Sequence, residues 1–246
     1  MRAMILAAGL GTRLRPLTND RPKALVEVAG HTLLEITLRR LASVGIYEVI
    51  VNVHHFADMV VEYLQRNNNF GMRVEISREE ILLDTGGGLK KAAWFFRETG
   101  NTEPFILHNV DVISTIDLQR MVRSHSETKG LATLAMQERE TSRHLLFDSD
   151  NQLCGRQSGQ RPAEFARPAK EITPLAFSGV HVISQRLLGR ITEQGAFSII
   201  DTYLRLAGQG ADISAFRADE YYWRDLGKPE HLAQAARDLE QKKFRV

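Results

Sequence analysis

The chain opens with an apolar run that passes directly into a short turn containing two glycines. Residues 3–8 are apolar throughout, which is typical of a buried β-strand. Gly9 and Gly11 follow at once, and glycine lets the backbone bring its N–H groups close to a ligand. Such a cluster of amides suits an anion, above all a phosphate. The opening segment therefore predicts a first strand that leads into a phosphate-binding turn.

Two cations accompany this turn. Arg13 offers a fork of donors that matches phosphate oxygens, and Lys23 adds a mobile point charge. Two familiar phosphate loops are excluded. The Walker motif is absent because no Gly-Lys-Ser/Thr follows the first glycine at the required spacing. The dinucleotide fingerprint is incomplete because Leu14 stands where its third glycine would be.

The complete string is more specific than the glycine pair alone. It reads Leu6-Ala7-Ala8-Gly9-x-Gly11-Thr12-Arg13-Leu14-x-Pro16-Leu17-Thr18, followed by Pro22-Lys23. This string resembles the N-terminal motif of the sugar-1-phosphate nucleotidyltransferases. The resemblance implies a Rossmann-like, three-layer α/β/α fold with a mixed, mostly parallel central sheet. It also implies nucleotide contacts at Leu6, Ala7, Ala8, Gly9, Gly11, Thr12, Arg13 and Lys23.

Length and charge limit the alternatives. The 246 residues permit one large domain or two small ones, and we expect a single domain. About 1–137 would form its nucleotide part, and about 138–246 its sugar part and C-terminal helix. With 32 basic and 30 acidic residues, nothing in the charge demands nucleic acid or a membrane. There is no run of 18 apolar residues and no signal-peptide pattern, so we expect a cytoplasmic protein.

Hydrophobic periodicity predicts alternating strands and helices, which favours an α/β sheet with helices on both faces. Strands are predicted over 3–8, 48–53, 74–77, 105–108, 131–137, 176–183, 213–216 and 222–225, with a hairpin over 145–153. Helices are predicted over 33–44, 56–65, 89–97, 116–126, 184–191, 199–207 and 229–242, and a surface loop over 155–170.

Two aspartates far apart in the chain follow strand-like segments. Asp111 comes after the apolar run 105–108, and Asp225 closes the segment 222–225. Acidic residues at such positions lie at the edge where open α/β sheets bind ligands, and carboxylate oxygens suit Mg²⁺. The alternative is an aspartate that only caps a turn. The family resemblance implies that both aspartates bind Mg²⁺, although Val110 stands where the family usually has glycine.

A glycine triplet is predicted to form a loop that opens a helix. Thr85-Gly86-Gly87-Gly88 looks like the nucleobase-binding loop of the family, which implies base contacts from Thr85, Gly86 and Gly87. The alternative is a flexible turn. Asn109 resembles the nucleotide-contacting asparagine of the short muramate-type members.

The sugar side has weaker signals. Phe177-Ser178-Gly179-Val180 resembles the family strand that borders the sugar pocket, which implies substrate contact at Gly179. The Glu-Lys-Pro of larger members falls on 166–168, where Arg167 replaces the lysine and would meet the sugar phosphate. Arg143 lies in a segment where further sugar contacts are expected.

The resemblance implies the reaction of a nucleoside triphosphate with a sugar-1-phosphate, giving an NDP-sugar and pyrophosphate with Mg²⁺ as cofactor. Arg13 would hold the β- and γ-phosphates, and Lys23 would neutralise the α-phosphate. The length, the glycine triplet and Asn-x-Asp are most similar to compact N-acetylmuramate-1-phosphate uridylyltransferases, which suggests UTP and a role in peptidoglycan recycling. Mannose-1-phosphate with GTP, glucose-1-phosphate with UTP or dTTP, and phosphocholine cytidylyl transfer remain open, as does a monomer or a dimer.

Two hypotheses from other classes are disfavoured. A non-catalytic regulatory homologue would be expected to lose Arg13, Lys23 or one aspartate, and all four residues are present. An NAD-dependent oxidoreductase would need a third glycine after the first strand and an acidic residue after the second.

Overall fold

The computed structural model of the protein describes residues 1–97 and 102–245. Its strands are β1 Arg2–Leu6, β2 Glu27–Val28, β3 His31–Thr32, β4 Glu48–Val53, β5 Arg73–Arg78, β6 Phe105–Asn109, β7 Val112–Ser114, β8 Ala132–Gln137, β9 Arg143–Phe147, β10 Leu153–Ser158, β11 Glu164–Phe165, β12 Thr173–Ile183, β13 Ile213–Arg217 and β14 Trp223–Asp225. Its α-helices are α1 Leu33–Ser43, α2 Ala57–Arg66, α3 Asp84–Arg97, α4 Leu118–Thr128, α5 Ile199–Gly208 and α6 Pro229–Glu240.

One large sheet runs through both halves of the chain. Its strand order is β11-β10-β9-β12-β6-β1-β4-β5, and β8 joins β12 to β13. The pairings leave β10 and β12 antiparallel to the other described strands of this sheet. The prediction of a mixed, mostly parallel sheet is therefore confirmed.

Side chains that alternate along β1 divide the apolar core between the two faces of the sheet. Ala3 and Ile5 belong to a cluster that includes Leu34 and Leu38 of α1. Met4 belongs to a second cluster that includes Phe95 of α3. Because residues of a strand point alternately to opposite faces, helices cover both sides of the sheet and form three layers.

Most predicted elements are present, with shifted ends. The predicted strand 48–53 is β4, and the predicted helix 116–126 is α4, which is capped by the Asp117 carboxylate accepting a hydrogen bond from Arg120 N at 2.8 Å. The predicted helix 184–191 is instead a 3₁₀ turn, Gln185–Arg190. The predicted loop 155–170 was wrong in part, because β10 extends into it and β11 pairs with β10.

The largest correction concerns the glycine triplet. The helix predicted over 89–97 begins at Asp84, so the triplet is helical and not a loop. The short β2–β3 hairpin was also not predicted. Within residues 1–97 and 102–245, no helix is both long and apolar enough to cross a bilayer.

Candidate active site

The first glycine turn lies where β1 ends. Gly11 has a φ of +64°, and a Cβ there would lie 2.9 Å from Thr18 Cγ2. Thr18 Oγ1 donates to the Gly11 carbonyl at 2.8 Å and closes the turn. Around Gly9, by contrast, no described atom lies within 4 Å of where a Cβ would be. The turn is therefore tight at Gly11 and open to a ligand at Gly9.

A buried polar network holds the backbone at the start of this turn. Asn52, at 2 % exposure on β4, accepts from Ala7 N at 2.7 Å and donates to Glu79 Oε1 at 2.7 Å. Glu79 Oε2 accepts in turn from Leu83 N at 3.0 Å. The network connects the end of β1 to the segment that leads into α3. Sequence reasoning missed Asn52 and Glu79, although an asparagine inside the apolar strand 48–53 was a usable signal.

A two-stranded ribbon brings the two predicted aspartates to the same place. Strand β14 pairs antiparallel with β7, and Asp225 lies opposite Val112. Leu226 N donates to the Asp111 carbonyl at 2.8 Å, and Val110 N donates to the Leu6 carbonyl at 3.1 Å. Asp111 and Asp225 therefore lie beside each other, next to the end of β1.

The donor set fits Mg²⁺. The described residues contain no group of three or more His, Cys, Asp or Glu side chains arranged to hold a metal ion. Magnesium in proteins is commonly bound by one or two carboxylates together with substrate phosphates and waters. Two neighbouring carboxylates, those of Asp111 and Asp225, match that protein share of oxygen ligands.

The two cations of the first turn each lie beside one aspartate. Lys23 Nζ forms an ion pair with Asp111 Oδ2, and both side chains are largely buried, at 12 % and 14 % exposure. Arg13 lies beside Asp225. A Cβ placed on Gly227 would be 2.6 Å from Arg13 Nη2 and 2.7 Å from Asp225 Oδ1. A side chain at position 227 would have to displace the ends of the Arg13 and Asp225 side chains.

The glycine triplet packs against protein. Gly86 N donates to the Phe197 carbonyl at 2.9 Å, and Thr85 Oγ1 accepts from Ile199 N at 3.0 Å. A Cβ on Gly87 would lie 2.5 Å from the Gly195 carbonyl oxygen. The three glycines are buried and let the first turn of α3 approach the segment 195–199.

The sugar-side candidates separate into two places. Gly179 has a φ of +74° where β12 bulges, and a Cβ there would lie 3.0 Å from Asn109 Nδ2. Arg167 Nη2 instead donates to Asp148 Oδ2 at 3.1 Å. Asp148 follows β9 at the end remote from Gly179, because Phe147 pairs with Thr173. Arg143, at the other end of β9, is exposed.

One cation in this region was not found from the sequence. The guanidinium of Arg139 lies over the Trp223 ring, 3.7 Å from its centroid, and Nη2 donates to the Phe177 carbonyl at 2.7 Å. No local motif surrounds Arg139, so the sequence offers no signal for it.

Two histidines lie buried in the strands beneath the site. Burial, with the nearby Arg40 charge, lowers the pKa of His108 to about 4. Burial, with a smaller contribution from His108, lowers the pKa of His181 to about 3. Both are therefore neutral near pH 7.

Comparison with known proteins gives consistent matches. The sequence pattern of the nucleotidyl transferase family matches residues 2–242. The N-acetylmuramate alpha-1-phosphate uridylyltransferase of Caulobacter vibrioides is 36 % identical over 245 residues, covering 96 % of each chain. The mannose-1-phosphate guanyltransferase beta-A of Xenopus laevis is 29 % identical over 94 % of this chain, which spans 62 % of that protein.

Solved structures agree on the fold. HddC from Yersinia pseudotuberculosis, complexed with GMP-PN, superposes with a TM-score of 0.75 at 23 % identity, covering 97 % of this chain and 99 % of that one. A putative glucose-1-phosphate thymidylyltransferase from Bacillus anthracis gives a TM-score of 0.79 at 18 % identity, covering 100 % and 98 %. The Rossmann-like fold is thus confirmed. Because the family pattern and the Caulobacter relative both cover nearly the whole chain, the protein belongs to the nucleotidyl transferase family.

Proposed function

We propose that this protein transfers a nucleoside monophosphate from a nucleoside triphosphate to a sugar-1-phosphate and releases pyrophosphate. One observation carries the proposal: Arg13, Lys23, Asp111 and Asp225 meet where β1 and β6 end. UTP and N-acetylmuramate-1-phosphate are the proposed pair, and the 36 % identity to the Caulobacter enzyme supports this choice.

The chemistry needs charge neutralisation more than proton transfer. A sugar phosphate oxygen is already anionic, so it attacks the α-phosphorus without a general base. The main obstacle is bringing several negative groups together, and positioned cations reduce it. Arg13 would hold the β- and γ-phosphates and the departing pyrophosphate. Lys23, which Asp111 holds at the end of β6, would neutralise the α-phosphate and the incoming sugar phosphate.

Asp111 and Asp225 would hold Mg²⁺. When bound, the ion supplies positive charge shared by the phosphates of both substrates. The two carboxylates would fix the position of that charge. The β7–β14 ribbon holds their backbone in place. The Gly227 N–H donates to Asp225 Oδ1 at 2.8 Å and so holds one carboxylate oxygen.

The remaining predicted contacts divide into those with the nucleotide and those with the sugar. The turn residues Leu6, Ala7, Ala8, Gly9, Gly11 and Thr12 would surround the triphosphate. The predicted base contacts Thr85, Gly86 and Gly87 pack against 195–199, so the base would lie beside the first turn of α3 without displacing that packing, with Asn109 on the ribose side. Gly179 would line the sugar pocket, with Arg143 and Arg167 as further candidates; Arg167 would have to leave Asp148 to take part.

A pyrophosphate-release screen of nucleoside triphosphates against sugar-1-phosphates with Mg²⁺ tests the proposal. We expect UTP with N-acetylmuramate-1-phosphate to be the fastest pair. Faster release from GTP with mannose-1-phosphate, or from UTP or dTTP with glucose-1-phosphate, would reassign the substrates. Release from no pair would favour a non-catalytic, regulatory homologue.

The carboxylate assignments can be tested within the same assay. Asp111→Asn and Asp225→Asn should each reduce the rate by about 10²–10³, because each removes one preorganised charge. Asp150→Asn, in the exposed turn after β9, is a matched control and should leave the rate unchanged. Near-normal release by both site variants would remove the metal assignment.

A further inference from the structure

Within the proposed function, we propose that Arg139 is the anion-binding residue of the sugar side. Its guanidinium binds an anionic group of the second substrate, a carboxylate or a phosphate. The proposal names a contact that the N-terminal motif and the two aspartates do not supply.

The position of Arg139 is fixed by the strands that carry the site. Its guanidinium lies over Trp223, two residues before Asp225 on β14, at 3.7 Å from the ring centroid. Its Nη2 donates to the Phe177 carbonyl on β12 at 2.7 Å. Trp223 Nε1 in turn donates to the Ser178 carbonyl at 2.7 Å, beside the bulge at Gly179. Stacking and this hydrogen bond orient the planar fork before any ligand arrives.

The guanidinium has donors to spare. Arginine carries five N–H donors, and among the described residues only Nη2 of Arg139 has an acceptor. Its Nε is buried without a partner, and Arg139 forms no salt bridge within the described part of the chain. Buried donors are normally paired, so this cation is poorly satisfied. Burial also lowers the pKa of Arg139, while the nearby Asp225 charge opposes that shift.

The space beside Arg139 suits a sugar. Arg139 lines an open cleft of about 930 Å³, within the range of small-molecule sites, together with Thr141, Ser142 and His144. These polar side chains can form hydrogen bonds with sugar hydroxyls. Glu138 also lines the cleft, but its carboxylate pairs with Arg217 at 3.2 Å, and Glu140 adds an acid at the rim. Arg139 is the cation of this cleft.

Arg167 gives a useful contrast. It lies where larger family members have a lysine, yet its guanidinium pairs with Asp148 at the remote end of β9. Arg139 has no such partner and faces the strand that ends in Asp225. The sugar-side cation is therefore supplied from the end of β8 and not from the segment 166–168.

The two tryptophans of the chain make the test direct. Trp94 and Trp223 are the only indoles, so Trp94→Phe leaves Trp223, stacked with Arg139, as the sole tryptophan, which can be excited selectively over the tyrosines. In this background we would titrate N-acetylglucosamine-1-phosphate, N-acetylmuramate and uncharged N-acetylglucosamine, following Trp223 emission. Arg139→Gln should weaken binding of one or both anionic sugars about tenfold or more, because charge-assisted hydrogen bonds are lost. Arg139→Lys should recover part of this loss.

The two anionic ligands distinguish whether Arg139 binds a phosphate or a carboxylate. Loss of N-acetylglucosamine-1-phosphate binding assigns Arg139 to the phosphate, and loss of N-acetylmuramate binding assigns it to the carboxylate. UTP affinity should stay unchanged, and Arg123→Gln, an exposed arginine on α4 away from the cleft, should behave as wild type. Thermal unfolding of each variant checks that it folds.

Three results would overturn the proposal: unchanged affinity of Arg139→Gln for both anions, an equal loss for uncharged N-acetylglucosamine, or no binding of either anion by the parent protein. The outcome is separable from the proposed function. Anion binding that depends on Arg139 without pyrophosphate release would remove the transfer reaction only. Normal release by Arg139→Gln at unchanged KM would remove this assignment only.

Discussion

Two glycine-rich segments of this protein, 9–11 and 86–88, look alike in the sequence and serve opposite purposes in the structure. At Gly9 the space beyond the backbone is open, with no described atom within 4 Å of a Cβ position. At Gly87 the same position is filled by the Gly195 carbonyl oxygen, 2.5 Å away. The first segment leaves open space at Gly9, where the proposed triphosphate would lie. The second lets a helix and a neighbouring segment come into contact.

The difference shows that a run of glycines in a sequence indicates only that side chains are absent. It does not indicate whether the space is open or filled by other parts of the protein. In 9–11, Arg13 and Lys23 follow closely and meet the two aspartates, so charge accumulates around open space. In 86–88, the neighbours are Phe197, Asn52 and Glu79, and the N–H of Gly86 is already bonded to Phe197. Substitutions should therefore separate activity from stability.

The largest effect is expected at the open turn. Gly9→Val should lower the rate of pyrophosphate release about 10²-fold or more, because displacing a substrate by about 1 Å can cost that much. The free energy of unfolding should stay within about 0.5 kcal/mol of wild type, since the side chain meets no protein atom.

Gly189→Val is the matched control for that variant. Gly189 is also exposed with nothing within 4 Å of a Cβ, but it follows β12 at the opposite edge of the sheet. Its rate should equal that of wild type. Equal losses in both variants would show that the turn has no special role.

Substitution at the start of α3 should change the stability of the protein. Gly87→Ala should lower the free energy of unfolding by about 1–3 kcal/mol, because the new methyl group overlaps a backbone carbonyl that cannot rotate away. Urea denaturation measures this, with Gly189→Ala as control. A stabilised Gly87→Ala protein would contradict the packing, since alanine alone favours a helix by about 1 kcal/mol over glycine.

Acid should destabilise the fold through three buried histidines. Burial lowers the pKa of His108, His125 and His181, the first two to about 4 and the third to about 3. Below about pH 6.5 these histidines bind protons in the unfolded chain but stay neutral in the folded chain, so the free energy of unfolding falls as the pH drops. Between pH 7 and pH 5.5 we expect the free energy of unfolding to fall by roughly 1 kcal/mol per histidine. Urea denaturation at each pH measures this loss. A flat profile would contradict this burial, and His108→Leu should reduce the slope.

The smallest effect is expected at Arg167. Its pair with Asp148 is partly exposed, at 21 % for both side chains, so Arg167→Gln should cost less than about 1 kcal/mol of stability. The KM for the sugar-1-phosphate should change little while Arg167 stays with Asp148. A tenfold rise in that KM would show instead that Arg167 reaches the substrate, as the sequence predicted.

How far the sequence predicts this protein depends on how local each signal is. Strands such as β4 and the capped helix α4 follow from contiguous patterns, and both were found. The start of α3 was misplaced because glycine has low helix propensity, whereas packing against 195–199 fixes the helix there. Arg139 could not be found, because its partners Phe177 and Trp223 lie far along the chain. Only the pairing of β12 with β8 and of β14 with β7 brings them together.

The β7–β14 ribbon also has a consequence for synthesis. The glycine turn and its two cations are translated well before β14, the strand that contributes Asp225. A nascent or truncated chain that carries the complete N-terminal motif still lacks one of its two carboxylates. If both carboxylates hold the metal as proposed, catalytic competence requires a chain that extends through Asp225, and fragments that end before β14 should not release pyrophosphate.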